Sequence, residues 1–154
     1  MNKFLMNSYL HFICGNYQLL LIADCIVEVG ESAGARLDKN PDTKVVAKTA
    51  SALHRVWRDR NLPVVDLGQF LQLDLAKPRY QLVTYDSAVK NTSSLTILDV
   101  DEIVGLMDLE ESDFVDFAEI NQQVGQFFDK AYIHSVTDVC LLRVSYPFHW
   151  LSSK

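Results

Sequence analysis

"VWRDRNLPVVDLGQFLQL", residues 56–73, holds two kinds of sequence side by side. Arg55, Arg58 and Arg60 crowd around Trp57 and Asp59. The chain then turns apolar from Leu62 to Val65, meets one carboxylate at Asp66, and turns apolar again. Leu62 to Val65 reads as a strand, with Pro63 at a strand start or edge, where a missing backbone donor is tolerated. Asp66-Leu67-Gly68-Gln69 then has the form of a capping box. An Asp side chain accepts the N–H groups of the next turn, and a Gln three residues on reaches back. Phe70, Leu71 and Leu73 supply apolar contacts for one short helix. A catalytic acid would need a second carboxylate or a His poised beside it, and no motif around Asp66 marks one. Asp66 is therefore assigned as a structural helix cap.

Outward from this stretch, short β-type segments recur. Residues 9–14 (YLHFIC) and 17–23 flank Gly15-Asn16, the signature of a tight hairpin. Residues 26–29 (IVEV) extend the pattern, and 30–43 carry the Gly, Ser, Asp, Asn and Pro of a loop. Residues 51–57 and 62–65 form a strand pair across a charged turn, Arg58-Asp59-Arg60-Asn61. Further strands are expected at 80–85, 95–98, 103–107 and 139–144, with a polar loop over 86–94 and a solvated acidic stretch over 110–116. Pro147 opposes a long C-terminal helix. Strands at intervals of about 8–12 residues, without solenoid repeats, indicate a mainly β barrel or sandwich with short helices.

The 154 residues suit one domain or a compact pair of subdomains, and 49% hydrophobic against 22% charged residues supplies a real core. Fourteen basic against twenty acidic side chains give a net charge of -6. That argues against a nucleic-acid backbone or an anionic membrane as the main partner, since both reward clustered Lys and Arg. Cys14, Cys25 and Cys140 are widely spaced, lie in apolar runs and form no CxxC pair, so they read as buried free thiols of a reducing compartment. The apolar run Leu19 to Ala23 is far short of a membrane span, and residues 1–12 lack a signal-peptide core. The expected location is cytoplasmic, with both chain ends complete.

Motifs for chemistry are missing from the sequence. His11, His54, His134 and His149 match no HExxH or H-x-H spacing, and there is no GxSxG, P-loop or GxGxxG. Asp99, Asp101 and Glu102 lack the Gly and oxygen ligands of a calcium loop, and are expected to face water at a bend. The expectation is no metal, no cofactor and no catalytic residue. Glu28 stands apart: among Ile26, Val27 and Val29 it needs exposure or a basic partner, and the planar fork of Arg58 suits it.

Several segments, in order, resemble the CheW-like family of adaptors. "YLHFICGNYQLLLIADCIVEV" supplies Tyr9, Leu10, Phe12, Gly15, Tyr17 and the run Ile26-Val27-Glu28-Val29. "VWRDRNLPVVDL" keeps Arg58, Pro63, Val64, Val65, Asp66 and Leu67 of the family's N-L-R-G…P-V-V-D-L, and "ILDVDEIV" echoes a third motif through Asp99. The resemblance covers roughly 8–145, leaving 1–7 and 146–154 as terminal extensions. The family's Asn, Leu and Gly of N-L-R-G are Val56, Trp57 and Asp59 here, and Leu53 stands near the place of a preceding Gly. The late segment "YIHSVTDVCLLRVSY" lacks the family's glycines and its final Leu-Asp, which marks a divergent member.

The resemblance implies two small five-stranded SH3-like β-barrels sharing a hydrophobic core, with no catalysis and no cofactor. It implies docking to the regulatory domain of a CheA-type histidine kinase and to the cytoplasmic tip of a methyl-accepting chemoreceptor, through Glu28 and Arg58. Ile26, Val56 and Trp57 would form the apolar patch beside them, Trp57 being equally at home in the core. Two other readings stay open. One is a CheW-like protein that has lost receptor coupling and only self-associates or binds kinase. The other is a small β-barrel enzyme or ligand binder with a site assembled from Asp66, Asp99 and His54.

Overall fold

The computed structural model describes residues 6–32, 54–73, 77–86, 95–116 and 127–148. Most of the loop expected over 30–43, most of that over 86–94, residues 51–53, His149 and parts of both terminal extensions lie outside them. Eleven strands, one helix and two 3₁₀ turns make up the described residues, so the fold is mainly β. They divide into two units between which the chain passes repeatedly. Unit 1 comprises Met1–Phe12, Tyr17–Asp24 and Val104–Lys154; unit 2 comprises Ile13–Asn16 and Cys25–Ile103.

The sheet of unit 1 runs β8-β1-β2-β11-β10-β9. Its first hairpin joins β1 (Met6–Cys14) to β2 (Tyr17–Ile22) across Gly15-Asn16. Gly15 has φ 61°, the left-handed value that a two-residue hairpin turn with glycine first requires. β8 (Glu102–Glu110) flanks β1, a 3₁₀ turn follows at Glu111–Asp113, and β9 (Val115–Asp116) pairs with β10 (Phe128–Ile133). β11 (Cys140–Val144) runs antiparallel to β10 and parallel to β2. Tyr9, Leu20, Leu109, Phe114 and Leu141 form the core here.

Unit 2 carries a five-stranded sheet in the order β3-β6-β7-β5-β4. β7 (Leu95–Val100) is central and every one of its residues is buried, the polar Thr96 and Asp99 included, so neither face alternates towards water. β6 (Tyr80–Tyr85) pairs antiparallel to one side of it and β5 (Arg60–Asp66) parallel to the other. Pro63 precedes the first β5–β7 pair, Val64↔Ile97, so the sheet loses no central hydrogen bond to it. β4 (His54–Trp57) and β3 (Ile26–Glu31) are the edges. Leu62, Val64, Val83, Leu95 and Ile97 form the core, with Trp57 packed against it.

The charged turn is shorter than expected. β4 pairs with β5 up to Trp57↔Arg60, which leaves Arg58-Asp59 alone at the tip. Both residues have positive φ, 48° and 65°, as a two-residue turn matching strand twist demands. Asp59 thus holds a glycine-type conformation without being glycine.

Candidate partner-binding surface

The two edge strands of unit 2 meet through side chains. Trp57, the last residue of β4, donates its indole N–H to Glu28 of β3 at 2.5 Å. Arg58 lays its guanidinium over the Trp57 ring, 4.7 Å from the centroid, and reaches the other Glu28 oxygen at 3.7 Å. Glu28, Trp57 and Arg58 are therefore one constellation, set by two local devices. The positive-φ turn folds Arg58 back over Trp57. On β3 the ladder slips between Ile26↔Thr84 and Glu28↔Val83, a bulge at Val27 that re-aims Glu28.

This arrangement contributes little to stability. The Arg58 and Glu28 side chains are 67% and 43% exposed, and such ion pairs are worth about 0–1 kcal/mol. A solvent-exposed cation–π contact adds about 0.5–1 kcal/mol. Its effect is to hold charged and aromatic groups in one orientation at the surface. Trp57 plays both roles weighed from sequence, one face on the core and its N–H outward. Val27, at the bulge, and Val29, which follows Glu28 and alternates with it, are both exposed. Val56 is 69% exposed but stands on the opposite face of β4 from Trp57, because successive strand residues alternate. Ile26 is half-buried at the start of β3.

The residues of the suggested enzyme site take structural positions. Asp66 is the N-cap of α1 (Leu67–Phe70): its Oδ1 accepts the Gln69 backbone N–H at 3.2 Å. Burial raises its pKa, the Gln69 N–H partly offsets this, and the Asp99 and Asp101 charges raise it further. Asp99 corrects the sequence expectation, since it is buried rather than water-facing. Arg55 grips both its oxygens at 2.8 and 2.9 Å, Ser32 Oγ donates to Oδ1 at 3.0 Å, and Arg55 also donates to Gln81. A carboxylate in that position is stable only because its counter-charge is fixed beside it. Asp101 accepts the Gly15 N–H at 2.7 Å and so pins the β1–β2 turn. His54 sits exposed on β4 opposite Pro63.

The thiols also divide. Cys14 and Cys25 are buried, but Cys140 is exposed at the start of β11. Burial, together with the Asp101 charge, drives the Cys14 pKa far above the usual thiol range, which leaves it inert. Burial raises that of Cys140 as well.

In unit 1 the acidic stretch after β8 is organised rather than merely solvated. Asp113 and Glu110 cap one another, and Glu111 reaches Arg143 of β11 at 2.9 Å. Arg143 also holds Asp129 with two bonds of 3.0 Å, donates to the Tyr9 hydroxyl and stacks 4.6 Å from the Phe114 ring. Partial burial opposes its charge, yet the bonds to Asp129, Glu111 and Tyr9 outweigh that and raise its pKa. Sequence reading left this node unmarked; the lone Arg in the apolar run "VCLLRV" was its one available signal.

Searches of protein-family models and of curated proteins return no match to the sequence. Among solved structures, the chain superposes on the scaffolding protein TtCheW from Thermoanaerobacter tengcongensis. The TM-score is 0.67 at 13% identity, over 92% of this chain and 90% of that one. The chain shares the CheW fold. Among its described residues, no helix is long and apolar enough to cross a membrane.

Proposed function

We propose that this CheW-like chain is a non-catalytic adaptor of a bacterial chemosensory pathway. It docks on the regulatory domain of a CheA-type histidine kinase and on the cytoplasmic tip of a methyl-accepting chemoreceptor, in the cytoplasm. The observation that carries the reading is the Glu28–Trp57–Arg58 constellation. It is exposed, held in one orientation and only a minor contributor to stability, and it lies on a fold shared with a scaffolding protein. A surface that is ordered while adding little to the fold's stability is suited to recognition: an aromatic and an Arg anchor with the exposed Val27 at the neighbouring bulge have the make-up of an interface hot spot.

Calorimetric titration of the kinase regulatory domain into this protein, its Arg58→Ala variant and its Glu28→Ala variant tests the proposal. Binding at micromolar affinity or tighter is expected, weakened by at least about 1 kcal/mol in one or both variants. Unchanged binding in both variants would assign the constellation to the receptor. An absence of binding to both kinase domain and receptor tip would overturn the adaptor reading.

A further inference from the structure

A second surface lies along the strand β8 and does not depend on the reading above. β8 is the terminal strand of its sheet among the described residues, with β1 on one side only. Its inner residues Met107 and Leu109 belong to the core of unit 1. Its outer residues are Glu102, Val104, Leu106 and Asp108, all exposed, Val104 at 52% and Leu106 at 68%. Two solvated aliphatic side chains thus stand in line on an edge strand, with a carboxylate at each end.

We propose that the β8 edge takes up an extended segment of another protein as an added strand. That segment would carry two apolar residues at alternate positions, with Lys or Arg two residues beyond each end. Backbone pairing supplies the ladder, Val104 and Leu106 meet the apolar pair, and Glu102 and Asp108 meet the basic ends. The same charges disfavour a second copy of this chain in the two symmetric registers. An antiparallel β8–β8 pair centred on Gly105 puts Glu102 opposite Asp108 twice, and an in-register parallel pair aligns identical acids. Like charges in opposed positions destabilise strand pairing. The competing view is that the two acids only guard a bare edge against aggregation.

The probe is the labelled peptide Lys-Thr-Val-Thr-Val-Thr-Lys, titrated into the full chain and read by anisotropy and by NMR shifts over residues 102–110. The control is Glu-Thr-Val-Thr-Val-Thr-Glu. Expected results are binding by the Lys peptide at least about tenfold tighter than by the Glu peptide at low salt, and weaker binding as salt rises. Leu106→Lys, at an exposed position, should cost a further loss of about tenfold or more. Glu102→Lys/Asp108→Lys should reverse the preference between the peptides. Two Lys peptides N-methylated on alternate residues separate a ladder from side-chain contact alone: one of them must fail to bind. No binding of the Lys peptide up to about 1 mM, shifts outside β8, or equal binding by both N-methylated forms would overturn the proposal.

Discussion

Replacing Arg55 by Met is the sharpest test of how unit 2 is held together. Arg55 and Asp99 are 8% and 3% exposed, and the guanidinium meets both carboxylate oxygens at 2.8 and 2.9 Å. In the variant, Asp99 keeps the Ser32 hydroxyl but loses its counter-charge. Removing one partner of a buried pair costs about 3–5 kcal/mol. Domains are stable by about 5–15 kcal/mol in total, so the variant should be marginal. Urea unfolding followed by circular dichroism should show a midpoint lower by about 2 M. Arg55→Met/Asp99→Leu removes both charges and should recover most of the loss, since a buried pair replaced by apolar residues is often neutral. A single variant within about 0.5 kcal/mol of the parent, or a double variant whose losses simply add, would refute this account of the pair.

Asp66→Ala should lose about 1 kcal/mol of stability, whereas Asp66→Asn keeps the cap and sheds a desolvated charge, so it should equal or exceed the parent at pH 7. The sign follows from the raised pKa: the native state holds the Asp66 proton longer than the unfolded chain. Its contribution therefore falls as pH rises from the ordinary carboxyl value of 3.8 through the higher native one, and that slope should vanish in Asp66→Asn. Arg143→Met should cost about 2 kcal/mol in thermal or urea unfolding, less than a fully buried pair because Glu111 is exposed. Glu111 is held below its ordinary 4.5 by Arg143, so its contribution is present above that value and disappears as pH drops through the lowered one. Acid titration of the Arg143→Met protein should lack this component. Asp59→Gly relieves a positive φ of 65° and should raise stability by about 0.5–1 kcal/mol, seen as a higher melting temperature.

The parts of the fold legible in sequence were those with strong local signals. Gly15-Asn16 between apolar runs marked the first hairpin, the short β-rich run at 80–85 marked β6, and the Asp66–Gln69 spacing marked the start of α1. β10 was missed because Phe128-Asp129-Lys130-Ala131-Tyr132-Ile133 carries charge in mid-strand, and its Asp129 is neutralised only by Arg143 on β11. Asp99 was misjudged for the same reason. Its burial depends on Arg55, which is distant in sequence and reads there as one more charge in a basic cluster. A signal did exist, for on β4 the period of two places Arg55 on the same face as the half-buried Trp57. The pairing of Glu28 with Arg58 was legible as chemistry. The part of Trp57 in it was not, because it needs a bulge on β3 and a turn with two positive φ values, neither written in residue type.

The interleaved chain path has a consequence for the order of assembly. Unit 2 is nearly contiguous, and its ladder can close once Val100 exists. Unit 1 cannot: β2 pairs in parallel with β11, Leu19 beside Leu142, so that contact must bridge most of the chain. Closing so long a loop is entropically costly and therefore slow. Until the last strand arrives, one side of the β1–β2 hairpin is open along Leu19, Leu20 and Leu21, all fully buried in the finished fold. A nascent chain therefore carries a sticky, unpaired strand edge for most of its synthesis, and slow translation before β11 lengthens the interval in which chaperones or aggregates compete for it.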